Sequence, residues 1–275
     1  MKITFPSQGD MLSMPDVTYA NLFFVDTNVN GNPVVLMFDT GANMTTISQS
    51  AYSKINANLL LDKISCGNSA GQTLEADVAL VETMMIGNSK VSNFPVLVVP
   101  DTYFDFGKDD AGNRFIAQGF LGWDVISQFS WEIDSENRKY YMHKSHPFSC
   151  NRNLSWNQFP ILSVEWNNAE ILMGFDSGHT ETILAASCCD HLSDLRTFSD
   201  TLTGLGGFSK EDVYIADKIE FMIDNQKILL TNVTILKHDI FGSAGDDMRG
   251  LLGADFVQNR KWKIDYPNHH FEIID

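Results

Sequence analysis

A chain of 275 residues with 44% hydrophobic side chains can bury two modest cores, and its composition is globular rather than disordered or fibrous. The formal charge of −16, from 19 Lys and Arg against 35 Asp and Glu, argues against nucleic acid and anionic membrane surfaces as partners. No apolar run approaches the roughly 18 residues that cross a bilayer, and Met1-Lys2-Ile3-Thr4-Phe5-Pro6 lacks the apolar stretch of a signal peptide, so a cytoplasmic location is expected.

In chain order, residues 1–16 read as an N-terminal arm or edge strand. Tyr19 to Val25 reads as a strand, Asn28 to Pro33 as a hairpin turn, and Val34-Val35-Leu36-Met37 as an apolar strand. That strand runs directly into Phe38-Asp39-Thr40-Gly41. A short helix is expected over Ser48 to Asn58, then a glycine-bearing hairpin at Asn68 to Thr73. Strands follow at Ala76–Val81 and Val96–Val99, then the phrase Phe120-Leu121-Gly122-Trp123-Asp124, a short helix, and Trp131-Glu132-Ile133-Asp134. Residues 145–156 read as a linker.

Beyond the linker the order repeats. Phe159 to Glu165 is a strand, Trp166 to Ala169 its turn, and Ile171 to Phe175 the strand entering Phe175-Asp176-Ser177-Gly178. A short helix at Leu184 to Leu192, a glycine-bearing hairpin at Thr203 to Gly207, and strands at Ile219–Ile223 and Ile228–Val233 come next. The chain closes with Leu251-Leu252-Gly253-Ala254-Asp255 and Trp262-Lys263-Ile264-Asp265. The aspartates lie 176 − 39 = 137 positions apart, and the Leu-Gly and Trp phrases 252 − 121 = 131 and 262 − 131 = 131. Matched features in one order at nearly one offset imply an internal duplication. The expected fold is all-β, mainly strand with a few short helices. Two homologous lobes, 17–144 and 157–275, are expected to be related by a pseudo-twofold axis.

A lone Asp-Thr/Ser-Gly triplet is ordinary turn chemistry. Its setting here is not: an Asp at the end of a buried strand is costly to ionise, and two of them suggest a pair built to meet. The apolar strand, the Asp-hydroxyl-Gly phrase, the hairpin and the Leu-Gly phrase, all occurring twice, resemble the aspartic protease superfamily. The two-lobed arrangement is similar to pepsin, and the short β-barrel lobes are similar to retroviral proteases and their bacterial relatives. The resemblance implies an aspartic endopeptidase, with Asp39 and Asp176 as catalytic carboxylates meeting between lobes. It further implies that the hydroxyls of Thr40 and Ser177 cross-link the two loops, and that Gly41 and Gly178 leave the carboxylates open to water. Leu121-Gly122 and Leu252-Gly253 would pack behind the loops. Ala70, Gly71, Gln72 and Thr73, with Gly204, Leu205, Gly206 and Gly207, would be flaps over the substrate. An extended peptide or protein is the implied partner of a monomeric enzyme that needs no metal or cofactor.

His179 stands where the superfamily has a small residue, and a ring there either crowds the pair or points away. A peptide-binding relative that is weak or inactive as a protease is therefore the alternative. Asp124 and Asp255 are expected to cap the helices after them, Trp131 and Trp262 to be core, and His269-His270 to be an exposed strand pair. Cys66, Cys150, Cys188 and Cys189 suit free thiols better than a disulfide framework, because two are sequence neighbours.

Overall fold

The computed structural model describes residues 1–6, 8–60, 63–67, 73–108, 112–157, 159–204, 207–238 and 248–274, with backbone alone at 159, 200–204 and 207–211. The architecture is mainly β, as expected, and the described strands form two large sheets, a central antiparallel sheet and one small ribbon.

The first large sheet closes on itself. Strand Phe24–Val29 turns through Asn30 and Gly31, at φ of 49° and 86°, into Asn32–Phe38. Positive φ at both turn residues matches the right-handed twist of the strands, which is why Asn-Gly sits there. Asn32–Phe38 then pairs in parallel with Gly119–Leu121, which pairs with Thr46–Ser48, then Ser89–Val99, then Thr73–Ile86, and so back to Phe24–Val29.

The second large sheet repeats this wiring strand for strand. Phe159–Trp166 turns through Asn167 and Asn168 (φ 52° and 60°) into Ala169–Phe175. That strand pairs in parallel with Met248–Leu252, which pairs with Ile183–Leu184, then Gln226–Ile235, then Gly207–Ile223, and back to Phe159–Trp166 through Glu165 and Met222. Corresponding pairs are parallel or antiparallel alike in the two sheets.

A five-stranded antiparallel sheet joins the halves, in the order Asp10–Ser13, Lys139–His143, Ser130–Asp134, Lys261–Asp265, His270–Ile273. Its paired strands Ser130–Asp134 and Lys261–Asp265, one from each half, bring Trp131 opposite Ile264 and Ile133 opposite Trp262. Both tryptophans are fully buried, as expected. Phe38 meets the edge of Trp131 at 5.0 Å and Phe175 meets Trp262 at 5.5 Å between ring centroids. These phenylalanines immediately precede Asp39 and Asp176, so each aspartate loop is seated on the central sheet by a ring worth about 2–3 kcal/mol of burial.

The N-terminal arm is woven into the fold. Lys2–Thr4 extends the first sheet and Asp10–Ser13 edges the central one. Three expectations need correction. The helix expected over Ser48 to Asn58 is one turn, Gln49–Tyr52, with Ser48 as its cap, because the chain breaks into turns at Ser53. The helix expected over Leu184 to Leu192 is a 3-10 segment, Ala186–His191. His270 is buried at 5% exposure, its Nδ1 against the Asn151 carbonyl, while His269 takes a left-handed turn at φ 55°.

Candidate active site

Both Asp-hydroxyl-Gly phrases begin where a buried strand ends beside a parallel neighbour. The Asp39 amide donates to the Leu121 carbonyl at 3.0 Å, and the Asp176 amide to that of Leu252 at 2.9 Å. Behind each loop the Leu-Gly phrase allows backbone to touch backbone. A Cβ on Gly122 would lie 2.5 Å from the Met44 carbonyl carbon, and one on Gly253 the same distance from that of Glu181. No side chain fits at either position.

The two loops lock to each other through Thr40 and Ser177. The Thr40 amide donates to Ser177 Oγ at 3.1 Å, and the Ser177 amide to Thr40 Oγ1 at 2.9 Å. Each hydroxyl then donates onward, Thr40 to the Phe175 carbonyl at 3.0 Å and Ser177 to the Phe38 carbonyl at 2.7 Å. Both side chains are fully buried, so these four bonds satisfy groups that water does not reach.

This lock brings Asp39 and Asp176 side by side, close enough for the charge of Asp176 to act on Asp39. Asp39 Oδ1 accepts the amides of Gly41 and Ala42, both at 2.9 Å, and Asp176 Oδ1 accepts that of Gly178 at 2.8 Å. Gly41 lies against the carboxylate of Asp176 and Gly178 against that of Asp39; a Cβ on either would fall within 2.6 Å of it. Burial above all, then the charge of Asp176, pushes Asp39 well above the ordinary carboxylate range, with the Ala42 and Gly41 amides pulling the other way. The pair therefore holds a proton that an isolated surface Asp would have lost.

Residues 25–125 match the family model of aspartyl proteases. The matched segment includes Asp39-Thr40-Gly41 and Leu121-Gly122, and it supports an aspartyl protease relationship for the chain. Among curated proteins, none matches the chain. The second Asp phrase lies outside the matched segment and is tied to the first by the repeated wiring described above.

His179 turns away from the pair. Its Nδ1 lies 2.6 Å from the Glu181 carbonyl oxygen, which can only accept, so Nδ1 carries the hydrogen. Of the expected flap residues, Thr73, Gly204 and Gly207 belong to strands: Thr73 pairs with Gly67, and Gly204 with Gly207. Ala70, Gly71, Gln72, Leu205 and Gly206 lie outside the described residues.

Asp124 and Asp255 are not the caps expected of them; Gly122 and Gly253 occupy those positions. Asp124 Oδ1 instead accepts the Thr45 amide at 2.9 Å and its hydroxyl at 2.8 Å, and Asp255 Oδ1 accepts the Thr182 hydroxyl at 2.7 Å. Each Thr hydroxyl in turn accepts the amide of the buried glycine, Gly122 or Gly253, at 3.2 Å. The repeat carried a signal for these residues, since 182 − 45 = 137 and 255 − 124 = 131. Burial lifts Asp124 to about 6 and also raises Asp255.

A further group had no signal in the sequence. Trp123, whose amide donates to the Ala42 carbonyl at 2.8 Å, stacks on Trp156 at 4.1 Å, and both rings meet Tyr266 edge-on at 6.3 Å. Among the described residues no three His, Cys, Asp or Glu side chains are grouped to hold a metal ion, and no helix is long and apolar enough to cross a membrane.

Proposed function

We propose that this chain is an aspartic endopeptidase that hydrolyses peptide bonds in extended peptides or proteins, using water activated by Asp39 and Asp176. The observation that carries the reading is the reciprocal Thr40–Ser177 lock, which holds two carboxylates from distant parts of the chain beside each other. In this reading the homologous units are 17–144 and 157–275, joined by 145–156, and the substrate lies between them beneath the two hairpins. The pepsin-like pairing of two retropepsin-like lobes, a monomeric state and a reducing, cytoplasmic setting belong to the same proposal. The four free cysteines favour that setting.

The chemistry follows from the pair. Two carboxylates in contact do not both ionise comfortably, so one proton is shared near neutrality. The ionised member takes a proton from water bound between them, and that water attacks the carbonyl carbon of the scissile peptide. The protonated member donates to the carbonyl oxygen as negative charge develops there. A tetrahedral diol forms, and collapse with proton return to the leaving nitrogen breaks the C–N bond and restores the shared proton. The titration belongs to the pair as a unit. Gly41 and Gly178 keep each carboxylate uncrowded from the opposite loop. The peptide-binding alternative turns on His179, whose ring Nδ1 is held by the Glu181 carbonyl.

The test is incubation with a mixed peptide library from about pH 3 to 8, a span that brackets the ordinary and raised carboxylate ranges. Wild type is expected to cut, a statine-type transition-state analogue to block cutting, and Asp39→Asn or Asp176→Asn each to abolish it while the fold survives. Cleavage persisting in either variant would sink the mechanism. A wild type that binds peptides without cutting them would return the chain to the binding reading.

A further inference from the structure

Tyr266 is 9% exposed, and its hydroxyl oxygen, shielded from solvent, has no hydrogen-bond partner among the described residues. A buried hydroxyl left unpaired costs roughly 1–3 kcal/mol, so its setting calls for a physical account. The chain reaches Tyr266 at the end of the strand Lys261–Asp265, which pairs with Ser130–Asp134 in the central sheet. The neighbours of the ring are Trp123 and Trp156. Trp123 is bonded through its amide to Ala42, and the Ala42 amide is bonded to Asp39 Oδ1. The hydroxyl thus sits in a buried aromatic cluster joined to the Asp39 loop, where the Trp123 indole N–H is likewise without a partner among the described residues. Burial above all, then the charges of Asp39 and Asp176, holds the phenol well above its usual range and keeps it an O–H donor. The nearby Asp265 carboxylate is engaged instead by the Ser145 hydroxyl and the Asn268 amide.

An O–H with no competing acceptor aligns its hydrogen toward the nearest negative charge, and in a low-dielectric pocket that alignment is strong. We propose that Tyr266 is a positioning residue for the aspartate pair. Its hydroxyl dipole, fixed by the Trp123–Trp156 stack, stabilises the singly ionised pair and sets the lower end of its working pH range. This rests on the reading of Asp39 and Asp176 as the catalytic pair, but it can be measured without catalysis.

The test compares wild type with Tyr266→Phe, which keeps the ring packing and removes only the oxygen. With 13C-labelled aspartate, the carboxyl signals of the pair are titrated by NMR. In Tyr266→Phe the first proton loss is expected about one unit higher in pH, close to tenfold in proton affinity. 3-Fluorotyrosine at position 266, a stronger donor, is expected to shift it the opposite way and covers the case in which Tyr266→Phe folds poorly. Superimposable titrations would overturn the proposal, as would a higher stability in Tyr266→Phe with no change in titration, the mark of a merely unpaired hydroxyl. Where peptides are cut, the acid limb of kcat/KM is expected to move with the carboxyl signals. If wild type cuts nothing, the protease reading fails while the NMR comparison still decides the role of Tyr266.

Discussion

Glu132 pairs with Lys263 in the central sheet, and under the internal repeat each is the other's counterpart, since 263 − 132 = 131. The flanking pairs mirror about it, Trp131 with Ile264 and Ile133 with Trp262. The local twofold therefore passes through this pair of residues, and the same symmetry relates Thr40 to Ser177 above it. The geometry of the aspartate pair depends on that relation, so perturbing either half is felt by both.

Replacing Thr40 by Val keeps shape and removes the hydroxyl. The Ser177 amide and the Phe175 carbonyl then lose their partners in a place water does not reach. The expected loss of stability is about 3 kcal/mol in urea unfolding, and peptide hydrolysis should fall with it. Thr40→Ser, which retains the oxygen, should cost about 1 kcal/mol and keep activity.

Gly122 and Gly31 separate crowding from backbone strain. An Ala at 122 would press on the Met44 carbonyl carbon at 2.5 Å and the Thr45 amide at 2.7 Å, both backbone atoms. At Gly31 an added Cβ meets nothing within 4 Å, though φ is +86°. Gly122→Ala should lower stability by at least about 3 kcal/mol, and Gly31→Ala by about 1 kcal/mol, measured as shifts in denaturant midpoint. Equal losses would mean that close approach is not what fixes Gly122.

Asp124 gives a pH dependence of definite sign. Burial raises it to about 6 in the folded chain, from near 4 when unfolded. Between those values the folded state binds more protons, so stability is full below about pH 4 and declines as pH rises through about 6. The decline is at most about 3 kcal/mol, and Asp255, also buried and raised, adds to it in the same direction. Asp101, Asp105 and Asp134 are shifted the other way, but their exposure to solvent screens them. Thermal unfolding from pH 4 to 7 should show wild type losing stability, and Asp124→Asn should flatten part of that slope.

The aspartate pair predicts opposed effects on stability and chemistry. Asp39 is raised by burial and by Asp176, so its ionisation at neutral pH weakens the fold. Asp39→Asn should melt higher than wild type at pH 7, with the advantage shrinking toward pH 4, while hydrolysis disappears. A variant that melts lower at pH 7 would show that the carboxylate stabilises the loop there.

The legible parts of the molecule were those where backbone geometry permits few residues. Gly122 and Gly253 stand out because nothing larger fits between the chains, and Asn30-Gly31 and Asn167-Asn168 because their turns require positive φ. Trp131 and Trp262 were legible as core because the repeat placed them alike. Asp124 and Asp255 were misread because an acid at the start of a helix looks like a cap. The groups they hold, Thr45 and Thr182, lie more than 70 positions away in the chain. The contacts of Trp123, Trp156 and Tyr266 join three separate elements, and no local pattern announces such a meeting. The length of the one-turn helix Gln49–Tyr52 was overestimated because the chain passes into turns from Ser53 onward.

The aromatic group beside Asp39 has no twin. The counterpart of Trp123 is Ala254 and that of Tyr266 is Ser135, as 254 − 123 = 131 and 266 − 135 = 131. A perfectly twofold site cannot tell a peptide from the same peptide reversed, because rotation exchanges its two ends. A peptide is a directional object, with an amino and a carboxyl end. By filling one flank with indole and phenol and leaving the other small, the duplicated chain has acquired a left and a right, the asymmetry that any site reading the direction of a peptide would need.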